Sequence, residues 1–210
     1  MAGMFITFEG VDGCGKSTQM RFLGEYLESL GYEVVYTREP GGCKISEMIR
    51  EILLSNENGE MTDRTEALLY AAARAQHVSE VIKPAILQGK IVLCDRFIDS
   101  SLAYQGIGRQ LGIDKIMKIN DFAMEGFMPS ATFFLDYPPE KATVRMKKRK
   151  THDRMENEEA EFHKKLYKGF VELSEKYPSR IIRINVSGNK QSTKGKIQKE
   201  MDKILKGESK

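Results

Sequence analysis

The sequence predicts a three-layer α/β domain in which a five-stranded parallel sheet is flanked by helices on both faces. Three observations carry that prediction. Strand-like apolar runs alternate with helical patterns along the whole chain, which is the signature of βαβ units. The first apolar run passes through a glycine-rich turn straight into an amphipathic helix, and two later apolar runs end in an aspartate. Strand ends of that kind border the ligand crevice of an open parallel sheet.

The elements follow in order. Phe5 to Phe8 is the first strand. The helix after the glycine-rich turn places Met20, Leu23, Leu27 and Leu30 on one face and stops at Gly31, a residue suited to the left-handed position that closes a helix. Glu33 to Thr37 is the second strand, and the polar, glycine-containing stretch from Glu57 to Glu60 is a loop. A longer helix opens at Asp63 with Glu66 as the partner in a capping box, and it runs toward Gly89 with a kink at Pro84. Ile91 to Cys94, Thr132 to Leu135 and Arg180 to Asn185 complete the sheet. No internal repeat or low-complexity linker divides the chain, so residues 1–210 are expected to form a single domain around one core.

Composition narrows the classes of function. A net charge of +3 is too small for a protein built around a nucleic acid. No apolar run approaches the roughly 20 residues that span a bilayer, and the start lacks the basic region of a leader. A soluble, cytoplasmic protein is expected. Cys14, Cys43 and Cys94 are too scattered for a metal knuckle or a C-x-x-C pair. His77, His152 and His163 form no ligand pair and are expected at the surface or half-buried, without chemistry. The lysines after Lys190 interleave with Glu200, Asp202 and Glu208 and read as a solvated helix face. Between Lys141 and Arg154, by contrast, seven basic residues face a single acid, Asp153, a concentration that calls for solvent or an anionic partner.

Gly10-Val11-Asp12-Gly13-Cys14-Gly15-Lys16-Ser17 matches G-x-x-x-x-G-K-[ST]. It lies after a strand and before a helix, the context that a P-loop requires. Glycines let backbone N–H groups turn toward phosphate oxygens, the helix N-terminus adds positive potential, Lys16 reaches the β- and γ-phosphates, and Ser17 is a magnesium ligand. Gly10, Gly13, Cys14, Gly15 and Thr18 complete the expected triphosphate cradle. A three-layer P-loop NTPase fold follows. The loop alone does not separate a kinase from a GTPase or a mechanical ATPase. Asn189-Lys190-Gln191-Ser192 lacks the aspartate of a guanine-reading N-K-x-D, which argues against a small GTPase.

Of the two strand-end aspartates, Asp95 is preferred over Asp136 as the magnesium-side carboxylate. Asp95 is followed by Arg96, a guanidinium able to grip a phosphate, whereas Asp136 precedes Tyr137-Pro138-Pro139, a turn and helix start. Arg38 follows a strand and precedes the turn-forming Glu39-Pro40-Gly41-Gly42, which presents it over the carboxyl end of the sheet. Its alternative is a surface salt bridge with a neighbour. Tyr70 and Arg74 lie one turn apart on one helix face. Such a pair is either a base-stacking and base-reading couple or an ordinary packed aromatic beside a solvated arginine.

Phe5-Ile6-Thr7-Phe8-Glu9-Gly10, Thr37-Arg38-Glu39-Pro40-Gly41-Gly42, Asp95-Arg96-Phe97 with Ser100, Ser101, Ala103, Tyr104 and Gln105, and Leu135-Asp136 with Pro139-Glu140 stand in the same order as in thymidylate kinases. The chain resembles that family over nearly its whole length. The resemblance implies phosphorylation of dTMP to dTDP by ATP with Mg²⁺, and it suggests a homodimer. It implies Tyr70 as the residue stacked on the base, Arg74 as the base reader, and Tyr104, Gln105 and Ser101 along the deoxyribose and base. It also implies Arg38 and Arg96 on the acceptor phosphate. Asp12 occupies an acidic position that faces the sugar 3′-hydroxyl in the family, which suits electrostatics, because a carboxylate among phosphate-binding amides would otherwise repel ATP.

One branch of the family carries a catalytic arginine in the P-loop and the other supplies it from a mobile lid. Residues 11–14 here contain no base, so the resemblance implies the lid branch, with the basic lid at about residues 145–156. Arg149 is the implied catalytic arginine, Arg145 and Arg154 assisting at ATP, and Lys147 stands where arginine is common. Some members carry a further arginine in place of Gly42. Catalysis is expected to rest on positioning and charge stabilisation by Lys16, Mg²⁺, Arg96 and Arg149. Rival readings are a kinase for another deoxynucleotide or a deoxynucleoside, and a P-loop ATP-binding switch with no small acceptor. Arg38, Arg96 and Asp12 have no clear purpose in a switch.

Overall fold

The computed structural model describes residues 3–146 and 153–207. Five parallel strands, β1 (Met4–Glu9), β2 (Val34–Arg38), β3 (Ile91–Asp95), β4 (Ala131–Asp136) and β5 (Ile181–Asn185), stand in the order β2-β3-β1-β4-β5. β1 is central because it is buried on both faces. Phe5 packs with Val92, Phe97, Leu102, Phe134, Leu166 and Phe170. Ile6 and Phe8 point the other way, onto Leu23, Leu27, Leu93, Phe133, Leu135, Ile197 and Met201. That period of two within a run buried on both sides is what a strand covered on both faces requires.

The helices are α1 (Lys16–Ser29), α2 (Lys44–Leu54), α3 (Asp63–His77), α4 (Lys83–Leu87), α5 (Ile98–Ser101), α6 (Ile113–Met124), α7 (Pro139–Met146), α8 (Ala160–Lys176) and α9 (Lys190–Leu205). α1 closes at Leu30 and Gly31, the latter at φ 88°, as its spacing predicts.

Two expectations about the long helix are corrected. Its cap is Thr62, whose side chain accepts from Thr65 N at 3.3 Å, and Glu66 is no capping partner, being buried and bonded to side chains of later segments. The irregularity also lies one turn before Pro84. Val78–Ile82 form a π-helical turn that joins α3 to α4, with Pro84 in the first turn of α4. Proline offers no N–H to the turn before it, and the wider turn absorbs that loss. A second π-helical segment, Leu102–Gly108, continues α5 and carries Tyr104 and Gln105.

β1 reaches over β3 to connect with β2 on one side and meets β4 on the other, so the strand order reverses at β1. Crevices at the carboxyl ends of such strands are where open α/β sheets bind ligands.

Candidate active site

A cavity of about 420 Å³ opens at that point, between the loop after β1 and the ends of β2 and β3. Its volume lies in the range of small-molecule sites. On one side stands the P-loop: Asp12, Gly13, Gly15, Lys16, Ser17 and Thr18 line the cavity. Gly10 and Cys14 support the loop from beneath. A Cβ at Gly10 would stand 2.8 Å from the Leu135 carbonyl oxygen, at φ 134°, so only glycine lets the chain turn there. Cys14 is buried, and its burial pushes the thiol pKa up, which keeps it protonated and inert.

α1 begins with no side-chain cap at Gly15, so its first amides are available to an anion. Lys16 is 6% exposed and donates to the carbonyl oxygens of Gly10 and Val11 at 3.1 and 3.3 Å. Ser17 Oγ donates to Asp95 Oδ2 at 2.9 Å. The other strand-end carboxylate, Asp136, accepts from Tyr167 and from Arg183, each at 2.9 Å.

Across the cavity stands Arg96, at φ 69°, a left-handed conformation that costs a non-glycine residue about 1–2 kcal/mol. Its surroundings over-determine it. Its N–H donates to Phe8 O at 3.0 Å, Nη2 donates to Asp12 Oδ1 at 2.7 Å, Nη1 donates to Ser100 Oγ at 3.0 Å, and the guanidinium lies 5.3 Å over the Tyr104 ring. Burial opposes charge on both members of the ion pair. The opposite charges prevail, holding Asp12 well below the usual carboxylate range and Arg96 well above its own. Tyr104 also donates to Asp12 Oδ2, at 3.3 Å.

Glu9 braces this arrangement from the end of β1. It is fully buried and accepts from Phe97 N at 2.8 Å, Ser100 N at 3.1 Å and Ser100 Oγ at 2.6 Å. Burial, and then the nearby Asp99, push its pKa up to about 7.

The far wall is formed by Tyr70, Arg74, Phe97, Ser101, Tyr104 and Gln105. Burial raises the pKa of both Tyr70 and Tyr104, so both phenols are neutral at physiological pH. Arg74 is 1% exposed, which excludes the solvated-arginine alternative. It donates Nε to Glu39 Oε2 at 2.9 Å, Nη1 to Ser101 Oγ at 3.1 Å and to Asn120 Oδ1, and Nη2 lies 2.7 Å from Glu39. A guanidinium has five N–H groups, so Arg74 keeps one for a ligand.

His77 corrects an expectation. It is fully buried rather than half-buried, with Nδ1 3.0 Å from Glu39 Oε1 and Nε2 2.6 Å from Thr37 Oγ1. It thus positions the carboxylate that positions Arg74.

Other expected residues stand differently from the sequence reading. Arg38 lines the cavity but is 54% exposed, with Nη2 donating to both oxygens of Glu47 at 2.9 and 3.0 Å. Any anion that bound Arg38 would compete with Glu47. Arg154 is not among the residues that line the cavity. Its guanidinium donates to Glu66 at 2.7 Å and to the Leu53 carbonyl at 2.9 Å. Asp153, Met155 and Glu156 border the cavity in its place. Arg149 lies outside the described residues, as do Lys147, Lys148 and Lys150. Arg145 belongs to α7, and its side chain is likewise outside what is described.

Sequence reasoning passed over Glu9, Glu39, Arg50 and Ser100. Glu9 had a signal, since it is a charge at the end of an otherwise buried strand. Glu39 and Ser100 stood inside quoted motifs without a role. Arg50, whose Nη1 donates to Pro40 O at 2.7 Å beside the cavity, is an unremarked helix residue with no local signal.

The loop, the aspartate at the end of β3 and the aromatic–arginine wall all lie within a stretch that matches one family over most of the chain. The family model described as "Thymidylate kinase" matches residues 8–197. The chain belongs to the thymidylate kinase family. It is 53% identical over 185 residues to a thymidylate kinase of Exiguobacterium sp. (strain ATCC BAA-1283 / AT1b), covering 88% of this chain and 87% of the relative. It is 50% identical over 187 residues to a thymidylate kinase of Clostridium novyi (strain NT), covering 88% and 91%. The crystal structure of a thymidylate kinase from Ehrlichia chaffeensis superposes with a TM-score of 0.76 at 33% identity, covering 96% of this chain and 99% of the other. As a member of the thymidylate kinase family the chain is a phosphotransferase.

Proposed function

We propose that this thymidylate kinase transfers the γ-phosphoryl group of ATP to dTMP, giving ADP and dTDP. The observation that carries the reading is the continuity of the cavity from the P-loop, past Asp12 and Arg96, to a neutral wall of Tyr70, Ser101, Tyr104 and Gln105 backed by Arg74. One end suits a triphosphate and the other a flat pyrimidine. Arg96 stands between them, where two phosphates meet.

Ser17 and Asp95 fit Mg²⁺, because a hydroxyl and a carboxylate 2.9 Å apart are the hard oxygen donors this ion takes while keeping several waters. Bound there with ATP, the ion neutralises charge on the phosphates. The protein's own residues do the rest by position and charge. Lys16 leaves the carbonyl oxygens of Gly10 and Val11 for the β- and γ-phosphates. Arg96, pre-set in its strained backbone, holds the acceptor phosphate in line with the γ-phosphate, with Arg38 released from Glu47 to assist. An ionised phosphate monoester oxygen attacks directly, so no strong base and no phosphoenzyme are needed. Asp12 turns to the sugar 3′-hydroxyl, and Arg149, with Arg145, brings positive charge to the transferring group from the lid.

Ile45, Met48 and Ile52 on α2, Leu68 on α3 and Phe122 on α6 are exposed apolar side chains on neighbouring helices. They support a homodimer formed through that face. Three free cysteines and the absence, among the described residues, of a helix long and apolar enough to cross a membrane accord with a cytoplasmic enzyme.

The test is ADP production from ATP with each nucleoside monophosphate in turn. dTMP is expected to stimulate it most strongly. No stimulation above the ATPase blank sinks the reading.

A further inference from the structure

Behind the far wall of the cavity lies a carboxylate that contacts no part of the P-loop. Glu66 is 1% exposed. It accepts from Gln105 Nε2 at 2.8 Å, from Arg109 Nε and Nη2 at 3.3 and 3.2 Å, and from Arg154 Nη2 at 2.7 Å. Burial works against its charge, but the bonds from Arg109, Gln105 and Arg154 outweigh burial and hold Glu66 below its ordinary value. It is therefore ionised at neutral pH, and an ionised carboxylate only accepts.

That fixes the Gln105 side chain. An amide has one donating and one accepting end, and only the NH₂ can face Glu66. Oε1 must face away, and Gln105 is a wall residue of the cavity. Among the described residues the hydrogen bond to Glu66 is the one the Gln105 side chain makes, and Oε1 is not a buried atom left without a partner. The acceptor end is thus available on the ligand side.

We propose that Glu66 is a positioning residue for acceptor selection: by setting the Gln105 amide, it makes the wall an acceptor for the ring N–H of an imide-bearing pyrimidine. The inference rests on the reading that dTMP binds with its base beside Gln105. Thymine carries a single donor on its free edge, the N3–H between two carbonyl groups. Cytosine presents a lone pair at the same ring nitrogen. Against Gln105 Oε1 that lone pair leaves two acceptors facing each other out of water, the kind of mismatch by which a polar site rejects an analogue. Were Glu66 able to donate, the Gln105 amide could turn over and the discrimination would fade.

The experiment compares KM for dTMP with the inhibition constant of dCMP as a competitor, so a nucleotide that is not turned over still gives a number. Glu66→Gln should lower the ratio of the inhibition constant of dCMP to KM for dTMP by about tenfold, the worth of one hydrogen bond, with KM for dTMP rising more than kcat falls. Glu66→Asp, still a pure acceptor, should retain most of the ratio. Arg154→Ala disturbs the same carboxylate without making it a donor and should leave the ratio in place. An unchanged ratio in Glu66→Gln overturns the proposal. Gln105→Leu separates the two levels of inference. If it too leaves the ratio unchanged, the base does not lie beside Gln105 and the binding reading itself fails. If it shifts the ratio while Glu66→Gln does not, only the role of Glu66 fails. Should Glu66→Gln not fold, the wild-type enzyme supplies the answer by NMR. The Gln105 NH₂ resonances should keep their carboxylate-bonded positions when dTMP binds, and contacts between those protons and the base would refute the assignment.

Discussion

Arg96 donates a 2.7 Å hydrogen bond to Asp12 across 84 residues of sequence, and it does so from a left-handed backbone. The P-loop and the end of β3 are thereby joined by an ion pair. Replacing Asp12 by Asn removes the charge that balances Arg96 and the carboxylate proposed to meet the sugar. A charged hydrogen bond of this kind is worth about 1.5–3 kcal/mol. kcat/KM for dTMP should fall about 10- to 100-fold, while KM for ATP stays within about twofold. Steady-state kinetics with each substrate varied in turn checks the split.

Glu9 predicts a pH dependence of stability. Its pKa is pushed up to about 7 from an ordinary 4.5. Between those values the folded state binds more protons than the unfolded one, so stability falls as pH rises through that window and levels off above it. The loss is of order 3 kcal/mol. Urea unfolding of the wild type at pH 5, 6, 7 and 8 should show this decline, and Glu9→Gln should lack it. A parallel decline in both proteins would assign the titration to another group.

Gly42 stands at φ 90°, and a Cβ there would approach Thr37 Oγ1 to 2.5 Å and His77 Nε2 to 2.6 Å. The further arginine that some members of the family carry at this position has no room in this chain. Gly42→Ala should cost about 2–3 kcal/mol through backbone strain and displacement of His77. A thermal melt should register a drop of roughly 5–10 °C.

Arg149→Ala should lower kcat by about 10²-fold or more, the scale on which a single transition-state charge contributes. Affinity for dTMP, measured by calorimetry, should be nearly unchanged. An equal loss of binding would make Arg149 a ground-state ligand instead.

Phe122→Glu combined with Leu68→Glu places two charges on the exposed apolar face. Light scattering after size exclusion should find a dimer for the wild type and a monomer for the double variant, with the far-ultraviolet spectrum unchanged. A monomeric wild type would remove the proposed interface.

The alternation of apolar runs and helical patterns determined the sheet, because burying a parallel strand on both faces leaves few other residues possible. The P-loop was equally legible, its glycines, Lys16 and Ser17 being tied to one local geometry. Asp95 and Arg96 were found as neighbours at a strand end. Local sequence does not say which side chains meet across the fold. Glu66 matched a capping box and is instead the buried partner of Gln105, Arg109 and Arg154. His77 offered no ligand spacing and is buried against Glu39. Arg38, placed by its turn over the sheet, is drawn aside by Glu47. In each case the deciding partner lies on another element, and only tertiary packing brings the two within hydrogen-bond range while excluding the water that would otherwise compete. The sequence by itself thus determined the fold, the triphosphate cradle and the inventory of charges. The tertiary structure decided how those charges are paired, because a buried charge must find whatever opposite group the packing delivers to it.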